Sequence, residues 1–276
     1  MKYSLFGALM ALSFGLYAQR NYTANDHVRY TIDEVGNEYH IQYTFKDHRN
    51  ALCRISWKLD KAQTDDDIAV FGIPKSMFEP YPDRPEVRAR RQQIMARGLF
   101  KVEKNTVMVD KSAMINTYRE YTQVLAEWMI DYLRTYYVDN RMNRIRLAMA
   151  FVQDIPYAIP NDIDPNWYYG GVISTPNILT CGFGDCDTKA ILFAGILCHL
   201  INPGDIRFAG EPGHMYTLIK AKPSDFSTDE RIAYYQLPDG MYFVAETAGP
   251  GRLDFGEEGN LEYSYATVER VYFEGK

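Results

Sequence analysis

The stretch 182–197, GFGDCDTKAILFAGIL, decides how the rest of this chain is read. From Ala190 to Leu200 every residue except His199 is apolar or glycine, and a helix that is apolar on nearly all sides belongs in the middle of a domain. Asp185 is suited to cap that helix, its carboxylate accepting N–H groups of the first turn. Cys186 then opens the helix, where the aligned peptide dipoles favour a thiolate. The flanking carboxylates of Asp185 and Asp187 oppose that effect, so the thiol needs a base to become a nucleophile.

A base and an orienting group follow in chain order. In GEPGHMYTLIKA, His214 comes after a Pro-Gly turn and begins a strand. A histidine held there can reach across to a helix N-terminus. In MYFVAETAGP, Glu246 ends the strand after the one His214 opens, the two being linked through the Pro238-Asp239-Gly240 turn. Its carboxylate can accept the second imidazole N–H. The expected set is Cys186 as nucleophile, His214 as general base and later acid, and Glu246 as orienter.

Working outward, VRYTIDEV and EYHIQYTF flank Gly36-Asn37 and precede ALCRISWKL, alternating strands around a hairpin turn. KAQTDDD reads as a polar, acidic break, and IAVFGIP as a further short strand or buried loop. Asp83, Pro85 and Gly98 bracket a helix whose arginines form a basic, solvated face. Apolar residues at three-and-four spacing predict one long amphipathic helix over 114–137 and a second over 141–155, ending before Pro156. A loop rich in Pro, Gly, Asn and aromatics leads to the quoted stretch, and strand patterns return after residue 205. Helices followed by an antiparallel sheet indicate an α+β core.

At the N-terminus, MKYSLFGALMALSFGLYAQ has one lysine, a short apolar run and Ala18 before Gln19. That is the layout of a secretory signal peptide, and the run falls short of the roughly 20 residues that span a bilayer. The expected organisation is a signal peptide over 1–18, a β-rich region with one basic helix over 19–112, and a cysteine-bearing domain over 113–276. The protein is expected to be exported, periplasmic or extracellular, with no membrane span. Export leaves Cys53, Cys181, Cys186 and Cys198 open to disulfide formation. Zinc on Cys181, Cys186, His199 and His214 is disfavoured, because CGFGDC is loosely spaced for a structural site and no second cysteine pair completes it.

DIPYAIP, STPNILTCGFGDCDTKAILFAGIL, GHMYTLI and VAETAGP together resemble the successive blocks of the transglutaminase-like superfamily, which has a papain-like fold. The resemblance covers residues 140–255 and leaves 19–112 unassigned. It implies acyl transfer through a cysteine thioester on a peptide or protein substrate; no cofactor and no metal site is expected, and metal dependence is not read from the sequence. It also implies an oxyanion stabiliser, for which the Cys186 N–H, the Trp167 indole and the Tyr168 and Tyr169 hydroxyls are the candidates, the aromatics serving equally well as cleft walls. Two departures stand out: Glu246 occupies a place where aspartate is commoner, and KPSDFSTDERIAYY lengthens the interval between His214 and that acid.

The 276 residues are 46% hydrophobic and 24% charged, the composition of a folded globular chain. A net charge of -6 provides no field to attract nucleic acid. The composition does not address oligomeric state. Three functions remain open on the sequence: a cysteine hydrolase, a true protein-glutamine transglutaminase, and a catalytically silent binding module for cell-envelope peptides or glycans.

Overall fold

The computed structural model describes residues 24–75, 85–103, 106–159, 166–226, 232–257 and 266–274. The signal-peptide reading and the Asp83 cap lie outside them. Strands β1 (Arg29–Val35), β2 (Glu38–Lys46) and β3 (Leu52–Asp60) form an antiparallel meander in that order. Gly36, with φ +62°, makes the expected hairpin turn, and Val35 pairs with Glu38 across it. Strict alternation along β3 sends Cys53, Ile55, Trp57 and Leu59 inward. Tyr43 and Phe45 of β2 meet the ring of Phe151 edge-on at 5.0 and 5.3 Å, and the Tyr43 hydroxyl donates to the Phe151 carbonyl at 2.9 Å. The meander thus packs against a helix far along the chain, and the apolar core runs continuously from Val28 to Val271.

The expected acidic break after β3 is instead helix α1 (Lys61–Ala69). Asp60 caps it by accepting from the Gln63 N–H at 2.8 Å, and two of its three aspartates have partners. Asp65 accepts from Lys61 at 2.7 Å and from the Tyr39 hydroxyl at 2.6 Å, and Asp67 accepts from the Tyr121 hydroxyl at 2.7 Å. Next come β4 (Ile73–Pro74), α2 (Pro85–Ala96) and a hairpin of β5 (Phe100–Glu103) and β6 (Thr106–Val109).

The long helix expected over 114–137 is two helices, α3 (Lys111–Thr117) and α4 (Arg119–Tyr136). Asp110 caps α3 earlier than the apolar pattern begins, and the chain breaks at Tyr118, whose backbone leaves the helical region. The Tyr118 side chain is buried and its hydroxyl donates to the Asp67 carbonyl, a tertiary contact that the helical period does not register. Asn140 caps α5 (Arg141–Gln153), close to the expected bounds.

After β7 (Trp167–Tyr168), which pairs with β4, comes α6 (Thr175–Cys181), in a stretch whose composition reads as loop. Pro176 in its first turn suits a helix start. Helix α7 (Cys186–Leu200) occupies the centre, as its composition requires: every residue except Asp187 and His199 is buried. It packs on α4, α5 and a five-stranded antiparallel sheet. That sheet comprises β8 (Ile206–Glu211), β9 (His214–Lys220), β10 (Tyr234–Leu237), β11 (Gly240–Ala245) and β12 (Thr267–Arg270), in the order β10-β11-β9-β8-β12. The molecule is therefore α+β, with the cysteine-bearing helix laid on an antiparallel sheet.

Candidate active site

The glycines of the quoted stretch have separate steric reasons. Gly182 ends α6 at φ +71°, donating its N–H to the Ile178 carbonyl at 3.0 Å, and a Cβ there would stand 2.8 Å from the Tyr30 ring. Gly184 lies so close to Ile178 and Thr188 that a Cβ would meet them at 2.8 and 3.0 Å. This tight passage brings Gly184 beside Tyr157 in a parallel bridge, with Gly184 N–H donating to Pro156 O at 3.1 Å and Ala158 N–H to Gly184 O at 3.2 Å. Asp185 then caps α7 as expected, accepting from the Thr188 N–H at 3.0 Å. Cys186 is the first residue of the helix, so its own N–H has no intrahelical acceptor.

Gly213, at φ +79°, turns the chain between β8 and β9 and sets His214 at the start of β9. The His214 ring stacks on Tyr216 at 5.7 Å, and its Nε2 lies 2.7 Å from Glu246 Oε2. Antiparallel pairing of β11 with β9, Ala245 opposite Thr217, brings Glu246 to this place. The added methylene of glutamate does not spoil its reach. Glu246 Oε1 is also occupied, accepting from the Ala248 N–H at 2.8 Å. With Nε2 facing the carboxylate, Nδ1 is the ring nitrogen left for the thiol, and Cys186 and His214 line one cleft, close enough to interact electrostatically.

Electrostatics favour a charged imidazole. Burial pulls the His214 pKa down, but hydrogen bonds and charge from Cys186 and Glu246 act more strongly and raise it to about 10. The nearby carboxyls are themselves perturbed: burial raises Asp185 to about 6 and also raises Asp187, which Lys111 partly offsets. The Cys186 Sγ is 3.8 Å from Asp187 Oδ1. None of the four cysteines is joined in a disulfide. Burial pushes Cys53 up to about 12, which leaves it inert beside Cys186.

Cys186 and His214 open onto a cleft of about 410 Å³, with Tyr157 and Asp187 beside them and the Lys111–Glu269 ion pair, at 2.6 Å, on its wall. Glu246 is not part of the lining and stands behind His214, the position of an orienting group. The structure thus brings together Cys186, His214, Glu246 and the Asp185 cap.

Trp167, Tyr168 and Tyr169 do not join them. Trp167 and Tyr168 pair with β4, the Tyr168 hydroxyl donates to Val107 O at 2.8 Å, and Tyr169 stacks with Phe71 at 6.5 Å. Their rings are used in packing, and none lines the cleft. Tyr157 instead lines the cleft with Cys186, its pKa raised to about 12, chiefly by burial and then by the charge of Cys186. It lies within the DIPYAIP block, but only the bridge to Gly184 shows that it faces the thiol.

Among the described residues no group of three or more His, Cys, Asp or Glu side chains is arranged to hold a metal ion. No helix among them is long and apolar enough to cross a membrane. Comparison with protein-family models, curated proteins and solved structures finds no match to this chain.

Proposed function

We propose that this protein is an exported cysteine hydrolase of the transglutaminase-like type, a peptidase or amidase acting through Cys186, His214 and Glu246. The observation that carries the reading is the 2.7 Å contact of Glu246 with His214, which lines an open cleft together with the thiol at a helix N-terminus.

With the thiol proton already held by His214 in the resting pair, the first half-reaction begins as the thiolate sulfur bonds to the carbonyl carbon of a substrate amide. The carbonyl π electrons move onto oxygen. The Cys186 N–H and the Tyr157 hydroxyl are the donors available to that oxyanion. When the tetrahedral adduct collapses, the C–N bond breaks and the amine leaves with the proton from the imidazolium, giving a thioester. Water then attacks the thioester carbon, its proton passing to His214 as the sulfur departs, which releases a carboxylic acid and restores the resting pair.

Glu246 holds the imidazole in register and stabilises its cation throughout. Hydrolysis is preferred over crosslinking because water is the default acceptor, and an open cleft does nothing to exclude it.

The test is amine release from a library of peptides and primary amides by the wild type, Cys186→Ala and His214→Ala. Release lost in both variants supports the reading. Incorporation of an added amine in place of hydrolysis would make the enzyme a transglutaminase. A Cys186 that iodoacetamide labels only above about pH 8.5, unaffected by His214→Ala, is an unactivated thiol. That result would leave a binding module.

A further inference from the structure

Lys189 is the one charged residue buried within α7 that the chemistry above does not use, and it has no exposed surface. Its ammonium donates to Gln153 O at 3.1 Å, Ile155 O at 2.7 Å and Ala248 O at 2.6 Å. Three N–H donors meet three carbonyls, a match that only the protonated amine provides.

The three acceptors are not arbitrary. Ile155 leads directly into Pro156 and Tyr157. Ala248 is the residue whose N–H holds Glu246 Oε1. Gln153 returns to the same loop, its Nε2 donating to Glu246 O at 2.8 Å and Leu253 O at 2.9 Å. Gly249, at φ +67°, closes the junction so tightly that a Cβ would lie 2.5 Å from Gln153 O and 3.0 Å from Lys189 Nζ.

We infer that Lys189 is a positioning residue for the site: from the helix that carries the nucleophile, its ammonium fixes the segment that carries Tyr157 and the loop that carries Glu246. It acts through Glu246 and Tyr157 and touches no reacting atom. Burial lowers the Lys189 pKa, while the charges of Asp154, Glu246, Asp185 and Cys186 counter that loss and the three carbonyl acceptors favour the charged amine. The inference rests on the acyl-transfer reading for its purpose, but its geometry is testable without a substrate.

The test follows the His214 imidazole by NMR titration in the full chain, where it is one of five histidines and is assigned with His214→Ala. Lys189→Met is expected to lower the His214 midpoint by one pH unit or more, a tenfold or larger loss of proton affinity. Adding Lys189→Met to Glu246→Gln is expected to change it no further, because both act on one contact. Gly249→Ala, which crowds the junction from a half-buried position, is expected to shift the midpoint in the same direction.

An unchanged midpoint in folded Lys189→Met, or a shift that adds fully to that of Glu246→Gln, would overturn the inference. If Lys189→Met does not fold, Gly249→Ala decides by the same criterion. Loss of folding in both would overturn it in favour of a lysine that serves stability alone. Iodoacetamide labelling of wild-type Cys186 at pH 6, run alongside, reports separately on the acyl-transfer reading. An inert thiol with a shifted His214 midpoint would refute that reading and leave the positioning intact.

Discussion

Glu246→Gln keeps the shape of the side chain and removes its charge, so it asks whether the contact with His214 is electrostatic machinery or mere packing. The two side chains are 17% and 10% exposed and meet at 2.7 Å, which limits screening by solvent. A hydrogen bond between charged partners contributes about 1.5–3 kcal/mol, or about 1–2 pH units at 1.36 kcal/mol per unit. From a starting value of about 10, the variant imidazole should titrate near 8–9 at this order of magnitude.

The population of thiolate–imidazolium over thiol–imidazole scales with the proton affinity of the imidazole. Both midpoints lie above pH 6, so the imidazole stays protonated there in wild type and variant, and the step in Cys186 alkylation that accompanies loss of the imidazolium should move down by about 1–2 pH units. The assay is the iodoacetamide alkylation rate, followed by mass spectrometry from pH 4 to 11, with the His214 midpoint taken from NMR. A variant with the wild-type midpoint and an unmoved alkylation step would refute the claim that Glu246 stabilises the cation.

Tyr157→Phe removes one of the two proposed oxyanion donors and should lower kcat by about 10²–10³ with little change in KM, measured on whichever amide the library identifies. An equal loss after Tyr168→Phe would point instead to general damage, since that hydroxyl is engaged with Val107 outside the cleft. Asp185→Asn preserves a capping side chain but removes a buried carboxylate whose pKa is raised to about 6. Between the ordinary carboxylate value and pH 6 the native state holds the proton more tightly than the unfolded chain, so the aspartate costs stability as pH rises through this window and the full cost is present above it. The variant should be more stable than wild type by about 1–3 kcal/mol at pH 7 and no more stable at pH 4, measured by urea unfolding. Gly184→Val places branched carbons against Ile178 and Thr188 and should destabilise by about 1–3 kcal/mol while slowing Cys186 alkylation, because the same turn aims the thiol.

Cys186, His214 and Glu246 were legible because each sits at a local punctuation mark: a capped helix start, the residue after a Gly turn, a strand end. Such marks are written in neighbouring residue types. The acidic run of α1 was not legible as a helix, since Asp65 and Asp67 are satisfied by Tyr39, Lys61 and Tyr121, two of which lie far off in sequence. The break at Tyr118 escaped the helical period for the same reason, the tyrosine being held by the Asp67 carbonyl. The aromatic loop carried the right chemistry for an oxyanion donor at the wrong address. Pairing of Trp167 and Tyr168 with Ile73 and Pro74 turned it away from the thiol.

The sequence by itself determined that α7 must be central, because an all-apolar helix has nowhere else to go, and that one thiol must emerge at its capped end. It also carries a lone lysine, Lys189, at the start of an otherwise apolar run. Only the tertiary structure decided what that lysine holds and which aromatic faces the nucleophile. Those choices depend on backbone carbonyls at 153, 155 and 248 converging on one ammonium. Carbonyl groups are the same at every residue, so their convergence leaves no mark in the order of side chains.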